Sequence, residues 1–396
     1  MPKLIMFCGG VETLTFFSRQ LAAYFEEQGW NIFWYDLRQE ELCARRLRRF
    51  IKPRNTCVLT FNFLGLSGES GVYDERRGYL WEQYKIPCVN IVVDHPLYYS
   101  ERYDQLPDWY YQISIDRDHE KYLKEYYPEI STLGFLPLAG TSLDCGKEET
   151  VEEWLANRPV ELLFVGNYND PAEYEPYITR INEEYTAFYR GILNELLCHP
   201  QRTLIEVAKR HCIREMGQLS RKEWRLCFQH LNFMDLYLRF YERQQVLKSL
   251  IESGRTVHVY GHGYENFSCS HQEGLICHGP VDSLECIKQM QRSRISLNVM
   301  PWFRDGAHDR IFNAMANGSV SLTDSSRYLE ETFRDEEDIL FYDLLSLEDM
   351  TKRVERLLKH PETLYPLSQK ARCKVLNCHL WRQRGEWLKE KIESIF

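Results

Sequence analysis

Long apolar runs are missing from this chain. No stretch approaches the roughly 20 residues that a membrane-crossing helix needs. The opening run Leu4–Phe7 is too short for a secretory signal and stops at Gly9-Gly10. A basic excess is missing too: 49 Lys and Arg stand against 58 Asp and Glu, a net charge of −9, which argues against general nucleic-acid binding. No internal repeat or low-complexity segment is visible. The 13 cysteines are odd in number and scattered, so reduced thiols and a cytoplasmic location are expected. Cys269, His271, Cys277 and His278 fit no structural zinc spacing well. Asp116-Arg117-Asp118 could be a manganese-type acidic pair, but Asp116 reads better as the N-cap of a helix over 117–127.

What remains is an ordinary globular composition, 44% apolar and 27% charged, with aromatic residues at 14%. A length of 396 residues suggests two domains. Residues 1–140 alternate short apolar runs with amphipathic helices, the pattern of a parallel sheet with crossover helices. Strands are expected at 3–7, 32–35, 57–61, 88–93, 109–115 and 133–136. Leu14, Phe17, Leu21 and Phe25 recur at helical spacing between the first two. Ligands bind beyond the carboxyl ends of such strands. That rule points to Gly9, Gly10, Asn62, the glycine-rich loop 64–71, and Asp94-His95-Pro96. Asp94 could serve as a general base, and His95 as a base or a sugar-binding group; a plain turn is the competing reading.

Residues 141–158, with Gly146, have linker character. A second α/β alternation starts at 161–165, followed by Gly166-Asn167-Tyr168. A stretch at about 172–250 then lacks a good strand and reads as packed helices. Strands resume at 256–260, 275–277, 294–299, 319–323 and 338–342, and 346–359 and 361–395 read as helical.

The most informative run is His308 to Asp324, a helix followed at once by a buried strand. His308, Asp309 and Arg310 fall on the first helical turn, where free N–H groups and the positive dipole end favour an anion such as a diphosphate. Asn313 lies about one turn on, within reach of a sugar hydroxyl. Arg310 is the leading candidate for neutralising a diphosphate, ahead of Arg304 and His308, because a guanidinium offers a fixed fork of donors. An ion pair with Asp305 or Asp309 is the competing reading for Arg310. The turn Gly261-His262-Gly263-Tyr264 follows a strand, and its glycines would let backbone approach a ligand. The basic run Arg45-Arg46-Leu47-Arg48-Arg49 lies on a short helix, a solvated face or a surface that meets an acidic acceptor or a membrane.

In order and spacing, Val257–Gly263, Gly279-Pro280-Val281, Ser296–Pro301, His308–Asp324, Arg327–Glu330 and Ile339–Asp343 resemble the donor half of GT-B glycosyltransferases. Within that fold they resemble the spore-maturation-type, CgeB-like, branch. The resemblance implies two facing Rossmann-like domains. It places an acceptor-side domain at 1–150 and a donor domain at 159–375 carrying the helical insertion 172–250. A last helix, 376–396, packs back on the first domain. It implies a nucleotide-sugar donor held by Gly166, Asn167, Tyr168, Gly261, His262, Gly263, Tyr264, Pro280, Val281, Asn298, His308, Asp309, Arg310 and Asn313. Within that frame the strand-end residues Asp94 and His95, with Arg310, are the expected catalytic residues, and Gly9, Gly10 and Asn62 fall on the acceptor side. No metal or other cofactor is required, and the acceptor would be a glycan, protein or cell-surface component. Many retaining enzymes of this fold carry two glutamates eight positions apart; here Asp305 and Asn313 stand there. That departure keeps two alternatives open, an inactive nucleotide-sugar-binding scaffold and a nucleotide-sugar epimerase.

Overall fold

The computed structural model describes residues 1–143, 149–300 and 303–396. Gly146 of the linker and Pro301 of the resembling motif lie outside the described residues. The chain forms two compact units, residues 1–139 with 379–396, and residues 140–378.

The first unit is built on a parallel sheet of β1 (Lys3–Cys8), β2 (Asn31–Asp36), β3 (Thr56–Phe61), β6 (Cys88–Val92), β7 (Tyr110–Ser114) and β8 (Ser131–Phe135), in the order β2-β1-β3-β6-β7-β8. Its inner strands are continuous apolar runs because helices cover both faces of such a sheet: Leu4, Ile5, Met6, Val58, Leu59 and Val89 are fully buried. A two-stranded hairpin, β4 (Tyr73–Asp74) with β5 (Gly78–Tyr79), interrupts the connection after β3; it is too short to leave a periodic signal. The Glu12–Glu27 helix buries Leu14, Phe17, Leu21 and Phe25, as their spacing requires.

The stretch expected to be helical at 361–395 is two helices, Leu364–Cys378 and Trp381–Glu393. The second packs on the Glu12–Glu27 helix. The Trp381 ring lies 4.9 Å from that of Phe17, and the Arg384 Nε donates to the Pro137 carbonyl at 2.8 Å. A Cβ on Gly385 would fall 2.3 Å from the Tyr24 ring, so only glycine allows this approach.

The second unit has the strands β9 (Val160–Val165), β10 (Val257–Tyr260), β11 (Leu275–Cys277), β12 (Ser293–Asn298), β13 (Val320–Asp324) and β14 (Leu340–Tyr342), all parallel, in the order β11-β10-β9-β12-β13-β14. Numbered within the unit, this is the 3-2-1-4-5-6 order of dinucleotide-binding folds, with its switch point between β9 and β12. Between β9 and β10 lie helices at Glu175–Thr179, Glu183–Cys198, Leu204–Met216, Arg221–Gln229 and Asn232–Glu252. The last of these is more than insertion: its Val246, Leu247, Leu250 and Ile251 join the core under the sheet. Among the described residues, no helix is long and apolar enough to cross a membrane.

Candidate functional site

At the switch point of the second unit, β9 ends at Val165 and β12 at Asn298. The helix Asp309–Ala316 presents its N-terminus here. The Arg310 Nε donates to the Asn298 side-chain oxygen at 2.9 Å, and Asn298 in turn donates to the Thr323 hydroxyl at 2.9 Å. The Arg310 guanidinium lies 5.9 Å from the centre of the Phe164 ring. One of its terminal nitrogens, Nη2, is buried without a hydrogen-bond partner.

A second arginine, Arg243, reaches the same ring from the Asn232–Glu252 helix, 5.6 Å from its centre. It donates to the Asn167 carbonyl at 2.6 Å, and its Nε is buried and unpartnered. Burial, reinforced by Arg310 and Arg239, pushes the Arg243 guanidinium down to about 9. Burial likewise lowers Arg310; the Asp309 charge works against that and Arg239 adds to it. Both remain charged at neutral pH. The ion pairs that formed the competing reading for Arg310 are not made: Asp305 pairs with Arg327 at 3.2 Å, and Asp309 contacts His308 at 2.6 Å. Neither Arg243 nor Arg310 pairs with a carboxylate among the described residues. Arg243 is buried with no carboxylate near it among the described residues, and Arg310 is half-buried with the Asp309 charge close by but not in contact. A buried cation without a contacting counter-ion is costly, and the arrangement is complementary to an anion at the helix N-terminus.

Burial, with Arg310 beside it, pushes His308 down to about 4, so the ring is neutral at pH 7. Its Nδ1 lies 2.6 Å from the Asp309 carboxylate and 3.3 Å from the Arg310 amide. One nitrogen of a neutral ring cannot donate to the first and accept from the second. The shorter, charge-assisted contact decides: Nδ1 carries the proton, and Nε2 keeps its lone pair.

Other expected donor contacts come out differently. The Asn313 amide is fully engaged, accepting from the Thr141 N–H at 2.8 Å and donating to Asp309 at 3.0 Å. It fixes the entry of the chain into this unit instead of facing a ribose. The rings of Tyr168 and Tyr264 are interior, 0% and 3% exposed, and stack on each other at 5.9 Å. They build the floor of the site rather than touch a ligand. Asn167, His262, Pro280 and Val281 are exposed at the rim.

The glycines of the 261–264 turn serve a close approach, but to protein. A Cβ on Gly261 would fall 2.3 Å from the Gly166 oxygen, and one on Gly263, at φ +88°, 1.8 Å from the Tyr168 oxygen. Backbone cannot yield there, so Gly263→Ala is expected to destabilise by about 3 kcal/mol or more, from overpacking and the strained φ together. Denaturant unfolding measures it; a loss below about 1 kcal/mol would mean that the two turns are not interlocked. Arg304 turns away from the arginine pair, 3.5 Å from Asp324 in the interior.

The first unit gathers a separate set. Asn62 and Phe63 hold left-handed φ of 45° and 64°, a strain of order 1–3 kcal/mol each. It is maintained by the Val93 N–H donating to the Asn62 side-chain oxygen and the Phe63 N–H to Asn90. Asn62 and the Tyr99 hydroxyl both donate to Asp94 Oδ2, at 2.9 and 3.0 Å, leaving Oδ1. The His95 Nδ1 accepts from the Leu97 N–H at 3.1 Å, and burial with His119 alongside holds the ring neutral. Its proton therefore sits on Nε2, which makes His95 a donor and not a base. Gly9 (φ +86°) lies against Asp36, and Gly10 against Leu37 and Leu64. The glycine-rich loop is already occupied: Gly65 and Ser67 N–H groups donate to the carboxylate of Glu69. Asp116 caps the Arg117–Tyr126 helix through the Asp118 N–H.

Residues 243–390 match a family described as glycosyl transferase-like. The match takes in Arg243, Asn298 and Arg310 but neither the Gly166 loop nor most of the first unit. A comparison with curated protein sequences finds no match. Solved structures align over the whole chain. Sucrose-phosphate synthase from Thermosynechococcus elongatus does so at 11% identity and TM-score 0.54, over 100% of this chain and 99% of that one. Anabaena HepE in complex with UDP-glucose aligns at 8% and 0.55, over 100% of both. An alpha-glucosyltransferase in complex with UDP aligns at 11% and 0.56, over 100% and 99%. At such identities the likeness is one of fold: this is the GT-B fold, two Rossmann-like halves of mixed α/β type.

Proposed function

We propose that the chain is a glycosyltransferase that takes a sugar from a uridine-diphosphate donor bound in the second unit. The observation that carries the reading is the adjacent pair of guanidinium groups, buried Arg243 and half-buried Arg310, neither in contact with a carboxylate among the described residues, beside the N-terminus of the Asp309–Ala316 helix. A diphosphate would supply the counter-ion that Arg243 lacks. Negative charge grows on that diphosphate as the glycosidic bond breaks, so fixed cations stabilise the transition state more than the ground state. The leaving charge is thus assigned to arginines and a helix end, with no metal given a role. The rim residues Asn167, His262, Pro280 and Val281 would meet the nucleoside. UDP is chosen because two of the structural neighbours hold UDP or UDP-glucose. Asp94 Oδ1 is the candidate base toward an acceptor hydroxyl, and His95 Nε2 a hydrogen-bond donor to sugar or acceptor. Membership of the spore-maturation-type branch, supported by motif order, and a cytoplasmic location, supported by the scattered thiols, belong to the same proposal.

A second reading has its own support. Asp305 is held by Arg327, and Asn313 by Thr141 and Asp309, so both positions usually filled by functional glutamates are structurally engaged. A scaffold that binds nucleotide without turnover would show this.

Thermal denaturation with UDP, GDP, dTDP and CMP tests the first step. A ligand at a hundredfold excess over its dissociation constant stabilises by about 2.7 kcal/mol. UDP is expected to raise the melting temperature and the others not. No shift with any of them would refute the donor site. A shift with neither transfer nor donor hydrolysis over a broad panel would establish the scaffold reading.

A further inference from the structure

The Glu40–Phe50 helix of the first unit buries Cys43, Ala44 and Leu47. Directly opposite that face stands Leu42, 38% exposed, ringed at helical spacing by the exposed Arg45, Arg46 and Arg49. Arg48 flanks them, and exposed Lys52 and Arg54 follow in the next turn. From Arg45 to Arg54 there are six basic residues and no acidic one. Among the described residues none of the four helix arginines pairs with a carboxylate; Arg45 donates only to the Glu41 carbonyl, at 3.3 Å. Glu40 and Glu41 sit on the first turn, and Arg48 and Arg49 on the last. The helix dipole accounts for that polarity but not for Arg45, Arg46 or the exposed leucine among them. Like charges at i,i+3 and i,i+4 work against the helix, in a chain that is otherwise acidic.

The patch is not part of the acceptor-side set. The helix leaves the carboxyl end of β2 and leads to the start of β3 at Thr56. Its basic half therefore lies toward the opposite end of the sheet from Gly9, Asn62 and Asp94. The patch is the solvent-facing side of a single helix, Glu40–Phe50.

We propose that this face docks on a membrane surface rich in anionic phospholipid. Guanidinium groups bind phosphate in a forked geometry, a polybasic patch is drawn to an anionic leaflet, and an apolar side chain within a basic ring suits the headgroup boundary. The net charge of −9 repels the remaining surface and so orients the protein.

Co-sedimentation of the full chain with vesicles tests this, using phosphatidylcholine alone and phosphatidylcholine with about one third phosphatidylglycerol. Binding is expected only to the anionic vesicles, with release on raising salt from about 0.1 M to 0.5 M. The triple variant Arg45→Gln, Arg46→Gln, Arg49→Gln should lower the partition coefficient on the order of a hundredfold. Leu42→Gln, which keeps every charge, should lower it by about threefold. Both variants change exposed side chains and should melt as the parent does; if the triple variant does not, the double variant Arg45→Gln, Arg46→Gln and the salt series on the parent decide. Equal binding to neutral vesicles, unaltered binding by the variants, or retention on polyphosphate without vesicle binding would each overturn the proposal.

Discussion

Arg310→Ala is expected to lower transfer by at least about 10²–10³-fold, the loss typical when one fixed donor to a developing negative charge is removed. The geometry says why the loss should be that large. Arg310 is aimed by Asn298 and backed by the Phe164 ring, and no carboxylate is in contact with its guanidinium among the described residues. Its charge is available to a ligand in a partly desolvated place, where electrostatic interactions gain strength. The fold should tolerate the change. Removing Arg310 orphans the Asn298 oxygen, a cost of about 1–3 kcal/mol, but also relieves its repulsion with Arg243. Arg310→Lys separates charge from geometry. An ammonium keeps the charge but cannot hold Asn298 and a phosphate oxygen with a planar fork, so transfer should fall less than in the alanine variant. Steady-state kinetics with UDP-glucose, beside melting curves, reads both effects. Near-normal turnover by Arg310→Ala would remove this residue from the mechanism.

Most strands were readable from sequence because parallel strands buried on both faces are plain apolar runs. Val160–Val165 and Ser293–Asn298 are examples, their ends differing by about a residue from the expected ones. The His308–Asn317 helix was readable for another reason: an N-cap, an apolar stripe and a closing Asn-Gly are local signals. What local signals cannot carry is the partner of a side chain. Asn313 looked like a ligand contact because it lies one turn from Arg310. Its partner is Thr141, 172 residues away in sequence. The 261–264 glycines looked like a ligand-facing turn, whereas the approach they permit is to Gly166 and Tyr168, whose position only the paired strands β9 and β10 define. Tyr168 and Tyr264 could not be told from stacking residues by type alone, since aromatic residues serve core and cleft equally.

Arg243 was missed altogether, and its replacement should have the most diagnostic outcome. It lies on a helix that reads as part of an insertion, within the run Phe240-Tyr241-Glu242-Arg243. A buried charge on a core-facing helix was the available signal, but burial itself was not readable there. Arg243→Met keeps much of the packing volume and removes the charge. Without nucleotide, the variant should be at least as stable as the parent, because it relieves repulsion with Arg310 and Arg239 and the burial of an uncompensated cation. With UDP the order should reverse: affinity should fall about tenfold to a hundredfold, the loss of one charge-assisted contact of about 1.5–3 kcal/mol. The pH dependence has a definite sign. The folded-state pKa of Arg243 lies below the unfolded value of 12.5, at about 9. Between these values the unfolded chain binds more protons, so this group makes parent stability rise with pH above about 9, a contribution the methionine variant lacks. Titration calorimetry and denaturant unfolding at pH 7.5 and 9.5 measure both effects. If Arg243→Met unfolds more readily than the parent without nucleotide yet binds UDP unchanged, then Arg243 holds the Asn167 loop in place and the anion site consists of Arg310 and the helix end alone.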